Sequence, residues 1–407
     1  MKYSKSKIEK IKEQYGLPCY VFDEDAFRQN YQYLKNTLSA SYSKYEIAYS
    51  YKTNYAPKIC SVVKSMGGYA EVVSDMEYEI AKKIGYENAF IVYNGPFKGP
   101  KMEEHLCNGG ILNIDNLEEL NRVLRFTNTQ KRVFRVGLRV NINVGQNFIS
   151  RFGIDADSDD LEEAVNRLKN CQYTRLVGLH CHIGQSRSLA AWEARTKQML
   201  ALADKYIDGV PEYIDLGSGM FGDMAPELLQ QFTVNVPTYS EYARVTAELV
   251  AEHYKNISEE KKPILFTEPG TTVDNRYIDL IAEVDSLKQI KGKNFAILNC
   301  SFHNLGDVSG SVKLPLEVIE NAADRQEYRD VDLVGYTCLE RDVTYRAFCG
   351  KLGKGDYLVF GNVGGYSNVD KPPFILPQCA MIGMLDDVTY VIKRKETTED
   401  ILATYVI

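Results

Sequence analysis

No stretch of this 407-residue chain is long and apolar enough to cross a bilayer, which takes roughly 18 uninterrupted apolar residues. The amino end, Met1-Lys2-Tyr3-Ser4-Lys5, leads into a polar helix rather than an apolar signal core, so a cytoplasmic protein is expected. Cysteine is sparse and unpaired in pattern. The nine are an odd number with no Cys-x-x-Cys pair, which argues against a disulfide framework and a zinc knuckle, and no metal is expected. Each thiol reads as a small core residue, with Cys338 set apart for the reason given below. Positive charge is outweighed: 48 basic against 55 acidic residues give a net charge of −7 and leave no basic footprint for nucleic acid. There is one tryptophan against 28 tyrosines, which points to no function class, and there is no internal repeat or low-complexity linker.

What remains is an ordinary globular composition, 44% apolar and 25% charged, in a chain longer than one core usually serves, so two domains are expected. A short polar helix through Lys12 and Glu13 is broken by Gly16-Leu17-Pro18 ahead of a strand at 19–22. Short apolar runs then recur at 47–51, 69–73, 90–93, 111–114, 134–140, 176–182, 213–216 and 264–266. Helically spaced stretches separate them, at 76–84, 117–124, 161–168, 189–206 and 239–254. Eight strands alternating with helices over roughly 250 residues predict an α/β fold, a (β/α)8 TIM-like barrel whose functional groups gather at the carboxyl ends of its strands. Beyond about residue 275 the rhythm becomes strand after strand, at 277–284, 295–300, 332–336, 356–360 and 388–392. The expected division is therefore 25–272 as the barrel and 273–407 as a C-terminal all-β domain, with 1–24 joining the β-domain through its strand.

Four strand ends carry chemistry. In Tyr49-Ser50-Tyr51-Lys52-Thr53-Asn54 a lysine stands where a buried strand gives way to loop. A buried amine loses charge solvation and its pKa falls, the condition for forming a Schiff base with a carbonyl cofactor, although a strand-end lysine can also simply snorkel to solvent. His180 and His182 occupy alternating positions at the sixth strand and point the same way. The turn Asp215-Leu216-Gly217-Ser218-Gly219-Met220-Phe221-Gly222 follows the seventh, where glycines let backbone N–H groups approach an anion. Glu268 follows the eighth and would place a carboxylate in the barrel mouth, where a cationic partner is expected. An anchor, an anion turn and a counter-ion for a protonated ring nitrogen form the set that pyridoxal 5'-phosphate requires.

These residues resemble the fold-type III pyridoxal-phosphate decarboxylases, the family of diaminopimelate, ornithine and carboxynorspermidine decarboxylases. The resemblance rests on Tyr51-Lys52-Thr53-Asn54, Glu71-Val72-Val73-Ser74, Arg151-Phe152-Gly153-Ile154, His182-Ile183-Gly184, Gly217-Ser218-Gly219, Glu268-Pro269-Gly270, Cys338-Leu339-Glu340-Arg341-Asp342 and Gly364-Gly365-Tyr366, in that order. It implies an eight-stranded barrel with a β-domain, and a homodimer with active sites at the subunit interface. It further implies that Lys52 carries the cofactor, His182 stacks on its ring and Glu268 pairs with the ring nitrogen. The phosphate would be held by Gly217, Ser218, Gly219, Gly270 and Thr271, with Ser186 and Tyr366 assisting. Cys338 would be the proton donor from the neighbouring subunit, and Arg151, Glu340, Asp342 and Tyr366 would meet the substrate.

The pattern departs from the family at four places. Thr271 stands where arginine is common, and Gln185-Ser186 reverses the usual order. The stretch 299–306 lacks the arginine-proline motif through which diaminopimelate decarboxylases hold the distal carboxylate, and Leu339 replaces a substrate-binding glutamate. Without a paired arginine fork a second carboxylate is poorly held, which argues against meso-diaminopimelate. The expected substrate is a diamino acid, a polyamine-like carboxylate or a conjugated amino acid, its distal ammonium received by Glu340 and Asp342. The expected activity is decarboxylation; racemisation and non-catalytic cofactor binding are the alternatives, and Glu268 speaks for the first because related racemases place an arginine at the ring nitrogen.

Overall fold

The computed structural model describes residues 2–145, 148–306 and 312–406 and divides into two compact units. One comprises residues 30–222 and 235–272; the other comprises residues up to 29, 223–234 and 273 onward.

The first of these is the barrel. Its strands are β1 (Tyr45–Ser50), β2 (Tyr69–Val72), β3 (Ile91–Tyr93), β4 (Ile111–Ile114), β5 (Phe134–Asn141), β6 (Thr174–His180), β7 (Tyr213–Asp215) and β8 (Ile264–Thr267). Each pairs in parallel with the next, and β8 pairs with β1, so the sheet closes on itself without an edge. All eight apolar runs became strands, because a parallel sheet covered on both faces demands continuous burial. Helices cross between the strands, among them Pro57–Ser65, Asp75–Ile84, Leu117–Gln130, Asp159–Asn170 and Leu189–Tyr206. Ser74 and Asn116 cap two of them, their side chains accepting from the N–H groups of Glu77 and Glu119. The helix expected over 239–254 is two helices, Tyr239–Val245 and Ala247–His253. Thr246 between them turns its hydroxyl back to Tyr242 O at 2.7 Å and leaves helical geometry at φ −128°, ψ −83°.

The barrel interior is filled from below by Ala48, Val92, Val177, Tyr213 and Phe266. Tyr213 takes the most room, and Gly137 and Gly178 make space for it. A Cβ on Gly178 would lie 2.4 Å from the tyrosine ring, and one on Gly137 2.0 Å from its hydroxyl. Above this plug the interior turns polar, and the polar layer is the floor of the site.

The other unit is built on a nine-stranded mixed sheet. Its long strand Ile278–Ile290 pairs antiparallel with Cys19–Asp23, Lys293–Leu298 and Tyr357–Phe360, and Cys19–Asp23 pairs in parallel with Ala380–Leu385. Three strands here had no counterpart in the pattern: Leu316–Ile319, Val343–Leu352 and Ala380–Leu385. Val343–Leu352 is mostly half-buried or exposed and so carries no apolar run, while Ala380–Leu385 is nearly all buried but interrupted by Gly383. That glycine is required, since a Cβ there would meet the Tyr390 ring at 2.0 Å.

Candidate active site

Four strands deliver charged groups to the mouth of the barrel. Lys52 follows β1, and its Nζ lies 2.6 Å from Glu71 Oε2 and 2.7 Å from Ser50 Oγ. Glu71 is on β2 and only 1% exposed, and Ser50 donates to the same oxygen at 2.5 Å. The amine is therefore not isolated in an apolar pocket, as burial of a lone lysine would have it. It is paired with a buried carboxylate.

Glu268, at the end of β8, is also 1% exposed. Its Oε2 lies 3.0 Å from His182 Nδ1, and its Oε1 lies 3.2 Å from His180 Nε2 and accepts from Asn94 Nδ2. The His180 contact is an ion-pair distance without hydrogen-bond alignment: both ring nitrogens of that buried histidine lack a hydrogen-bond partner among the described residues. From Asn94 a chain of hydrogen bonds descends into the barrel, through Asn113 at 2.8 Å to the Tyr213 hydroxyl at 2.7 Å. Asp215, at the end of β7, is fully buried, and its Oδ1 accepts from Gly217 N at 2.9 Å.

Burial governs how these groups titrate. Burial, reinforced by the Glu268 charge, pushes the Asp215 carboxyl well above the usual range. Burial also works to raise Glu268, but the contacts from His180 and His182 outweigh it, and the carboxyl is held well below its ordinary value. Burial lowers His180 and brings His182 down to about 4, while the contacts with Glu268 work against the shift in both rings. The mouth therefore contains a buried carboxylate coupled to two imidazole rings.

Opposite these groups the glycine turn packs backbone against backbone. Gly217 and Gly219 have φ of 61° and 100°. A Cβ on either would lie 2.4 Å from a carbonyl oxygen, that of Cys181 or of Ile183. Ser218 N reaches His182 Nδ1 at 3.4 Å. The N–H groups of Gly219, Met220 and Gly270 make no hydrogen bond to any described residue, although Met220 and Gly270 are buried. Buried N–H groups left open in this way mark an anion site. A primary amine, a buried carboxylate and a turn with open N–H donors match the carbonyl, the ring nitrogen and the phosphate of pyridoxal phosphate. His180, His182 and Glu268 also bring three ligand atoms within 4.8 Å of one another.

Comparison with known proteins decides the family. The sequence profile described as "Pyridoxal-dependent decarboxylase, pyridoxal binding domain" matches residues 25–274, more than half of the chain. The chain belongs to the pyridoxal-dependent decarboxylases. Similar proteins include the diaminopimelate decarboxylase of Bacteroides thetaiotaomicron, 25% identical over 86% of this chain and 91% of that protein. The diaminopimelate decarboxylase of Archaeoglobus fulgidus is also 25% identical, over 97% of this chain and 94% of its own. Among solved structures, diaminopimelate decarboxylase from M. jannaschii in complex with L-lysine superposes with a TM-score of 0.83 at 21% identity, covering 98% of this chain and 94% of that one. Lysine decarboxylase from Selenomonas ruminantium gives 0.75 at 21% identity, covering 95% and 97%. The fold is that of the fold-type III decarboxylases, and the activity is pyridoxal-phosphate-dependent decarboxylation of an amino acid.

Of the residues expected in this decarboxylase's site, the barrel unit brings Lys52, His182, Gly217, Ser218, Gly219, Glu268, Gly270 and Thr271 to its strand ends, with Ser186 half-buried in the loop after β6. Arg151 is exposed, its guanidinium 4.4 Å from the centroid of the Phe152 ring. Cys338, Glu340, Asp342 and Tyr366 belong to the other unit. There Cys338 and Glu340 are exposed, and Tyr366 has φ 56°. Asp342 is buried and hydrogen-bonded within its own unit. Its Oδ1 accepts from Phe302 N at 2.8 Å, and its Oδ2 from the backbone and side chain of Thr337 at 3.1 and 2.6 Å. Glu71, Asn94, Asp215 and Ser50 had no assigned role in the sequence reading. Glu71 stood in a quoted motif, but only barrel closure puts it against Lys52.

Proposed function

We propose that Lys52, Glu71, His182 and Glu268 form the catalytic floor of this decarboxylase and that the turns at 217–219 and 270–271 hold the cofactor phosphate. The observation that carries this reading is the pairing, in one barrel mouth, of a lysine held by a buried carboxylate with a second buried carboxylate kept anionic. Pyridoxal phosphate, when bound, supplies the sink for the electron pair left on the α-carbon as carbon dioxide departs. Lys52 Nζ would hold the cofactor covalently. Glu71 Oε2, in contact with both Nζ and Ser50 Oγ, would take and return the proton that the amine must lose to act as a nucleophile. Glu268 would keep a proton on the ring nitrogen, because a buried carboxylate without a cationic partner favours one. His182 would lie against the ring, its Nδ1 held at 3.0 Å by Glu268 Oε2.

The substrate proposal is an amino acid with a polar distal end. Glu340 and Asp342 are the candidate receivers of a distal ammonium, Asp342 already accepting from Phe302 N and Thr337 N. Cys338, exposed and in the same segment, would donate the proton to the α-carbon of a partner subunit's substrate in a homodimer. All nine cysteines are free, which fits a reducing compartment, and we place the enzyme in the cytoplasm.

The test is carbon dioxide release by purified enzyme across basic, dicarboxylic and conjugated amino acids, meso-diaminopimelate among them. The wild type is expected to be yellow, to bleach with borohydride and to release carbon dioxide from at least one substrate, while Lys52→Ala does none of these. A yellow protein that racemises a substrate and retains its carboxylate would overturn the reading. Mixing Lys52→Ala with Cys338→Ala protein should restore part of the activity; proven subunit exchange without recovery would refute the shared site.

A further inference from the structure

Behind the glycine turn lies a buried charge that the mechanism above does not use. Arg195, on the helix Leu189–Tyr206, is fully buried. Its Nη1 donates to Leu216 O at 2.9 Å and to Ser218 O at 2.8 Å, and its Nη2 to Ile183 O at 2.8 Å. The guanidinium sits 4.1 Å from the Trp192 ring centroid, and its Nε has no hydrogen-bond partner among the described residues. No described carboxylate forms an ion pair with it. On the outer side, Arg187 Nε holds Gly184 O at 3.2 Å, so both turns that pack at Gly219 give carbonyls to arginines.

A buried guanidinium satisfied only by carbonyl dipoles is costly until an anion comes near. Two of the carbonyls turned toward Arg195, those of Leu216 and Ser218, belong to the same turn whose N–H groups at Gly219 and Met220 make no hydrogen bond among the described residues. Resting on the reading of this turn as the phosphate site, we infer that Arg195 is its buried counter-charge. It fixes the turn through its carbonyls and supplies positive potential through the backbone to a bound phosphate that it does not itself touch. It is a positioning residue, and the missing arginine at position 271 is offset from behind the turn rather than from in front of it.

The experiment compares affinities of the full-length apoenzyme for pyridoxal phosphate and for pyridoxal, which lacks the phosphate, and the rise in melting temperature with inorganic phosphate. Wild type is compared with Arg195→Met, which removes charge and fork, and Arg195→Lys, which keeps the charge. Arg195→Gln is the second neutral variant should Arg195→Met not fold. The neutral variants are expected to lose about tenfold in affinity for pyridoxal phosphate, the scale of a charge acting in a partly dry site. Pyridoxal affinity should stay within about twofold, and the stabilisation by phosphate should vanish. Arg195→Lys should retain most of the preference for the phosphorylated form. Equal losses for both forms, equal losses in Lys and Met variants, or no loss at all would overturn the inference. If wild-type protein is stabilised by phosphate through Arg195 yet does not bind pyridoxal phosphate, the anion site stands and the cofactor assignment of this turn falls.

Discussion

Glu77 offers a sharp physical test, because burial raises its carboxyl near Lys52 and its substitution removes that titrating group. It lies on the helix Asp75–Ile84, 4% exposed, with Oε2 accepting from Val73 N at 2.7 Å. Burial pushes its carboxyl up to about 7; the Val73 N–H opposes this, the Glu71 charge adds to it and Lys52 opposes it. A carboxyl raised on folding favours the folded state while it is protonated. Its contribution is fully present below the unfolded value of 4.5 and is lost as pH rises through about 7. Between pH 5 and pH 8 that span amounts to roughly 2–3 kcal/mol. Glu77→Gln keeps an oxygen for Val73 N and cannot ionise, so it should lack this loss. Chemical denaturation of both proteins at pH 5 and pH 8, with excess cofactor, should show the wild type losing roughly 2–3 kcal/mol more than the variant on going to pH 8. Parallel pH dependence in the two proteins would refute the reasoning, since it would mean that Glu77 is already ionised in the folded enzyme at pH 5.

Other outcomes follow from the same geometry. Glu268→Gln should retain cofactor at Lys52 and lower kcat by about 10² to 10³, the loss typical of removing one preorganised charge contact in a dry site; kcat within threefold of wild type would count against its place at the ring nitrogen. Gly219→Ala, at φ 100° with its new Cβ 2.4 Å from Ile183 O, should cost about 1–3 kcal/mol in stability and weaken pyridoxal phosphate more than pyridoxal. Gly178→Ala, 2.4 Å from the Tyr213 ring, should destabilise the barrel by about 1–3 kcal/mol in denaturant melts without altering that preference.

The barrel was readable because each of its strands is a short run of consecutive apolar residues between turn signals, a pattern imposed by burial on both faces. The second unit was less so, since Val343–Leu352 shows half its residues to solvent and Gly383 interrupts a strand for the sake of a neighbouring ring. In the site, Lys52, His182, the glycine turn and Glu268 were legible as unusual residues at strand ends. Glu71, Asn94 and Asp215 were not, because an acid or amide at the end of a strand is unremarkable until the sheet closes and points it inward.

Sequence alone thus determined the alternation of strand and helix, the strand ends that carry chemistry and the class of cofactor, since apolar periodicity and the valence of a lysine, a carboxylate and a glycine turn are local properties. Tertiary structure decided the partnerships and the direction in which the buried acids shift. It set Glu71 against Lys52, raised Asp215 while lowering Glu268, and tied Asp342 to Phe302 and Thr337. It also placed Arg195 behind the turn. Those depend on desolvation and on distances between residues far apart in the chain, which no stretch of sequence contains.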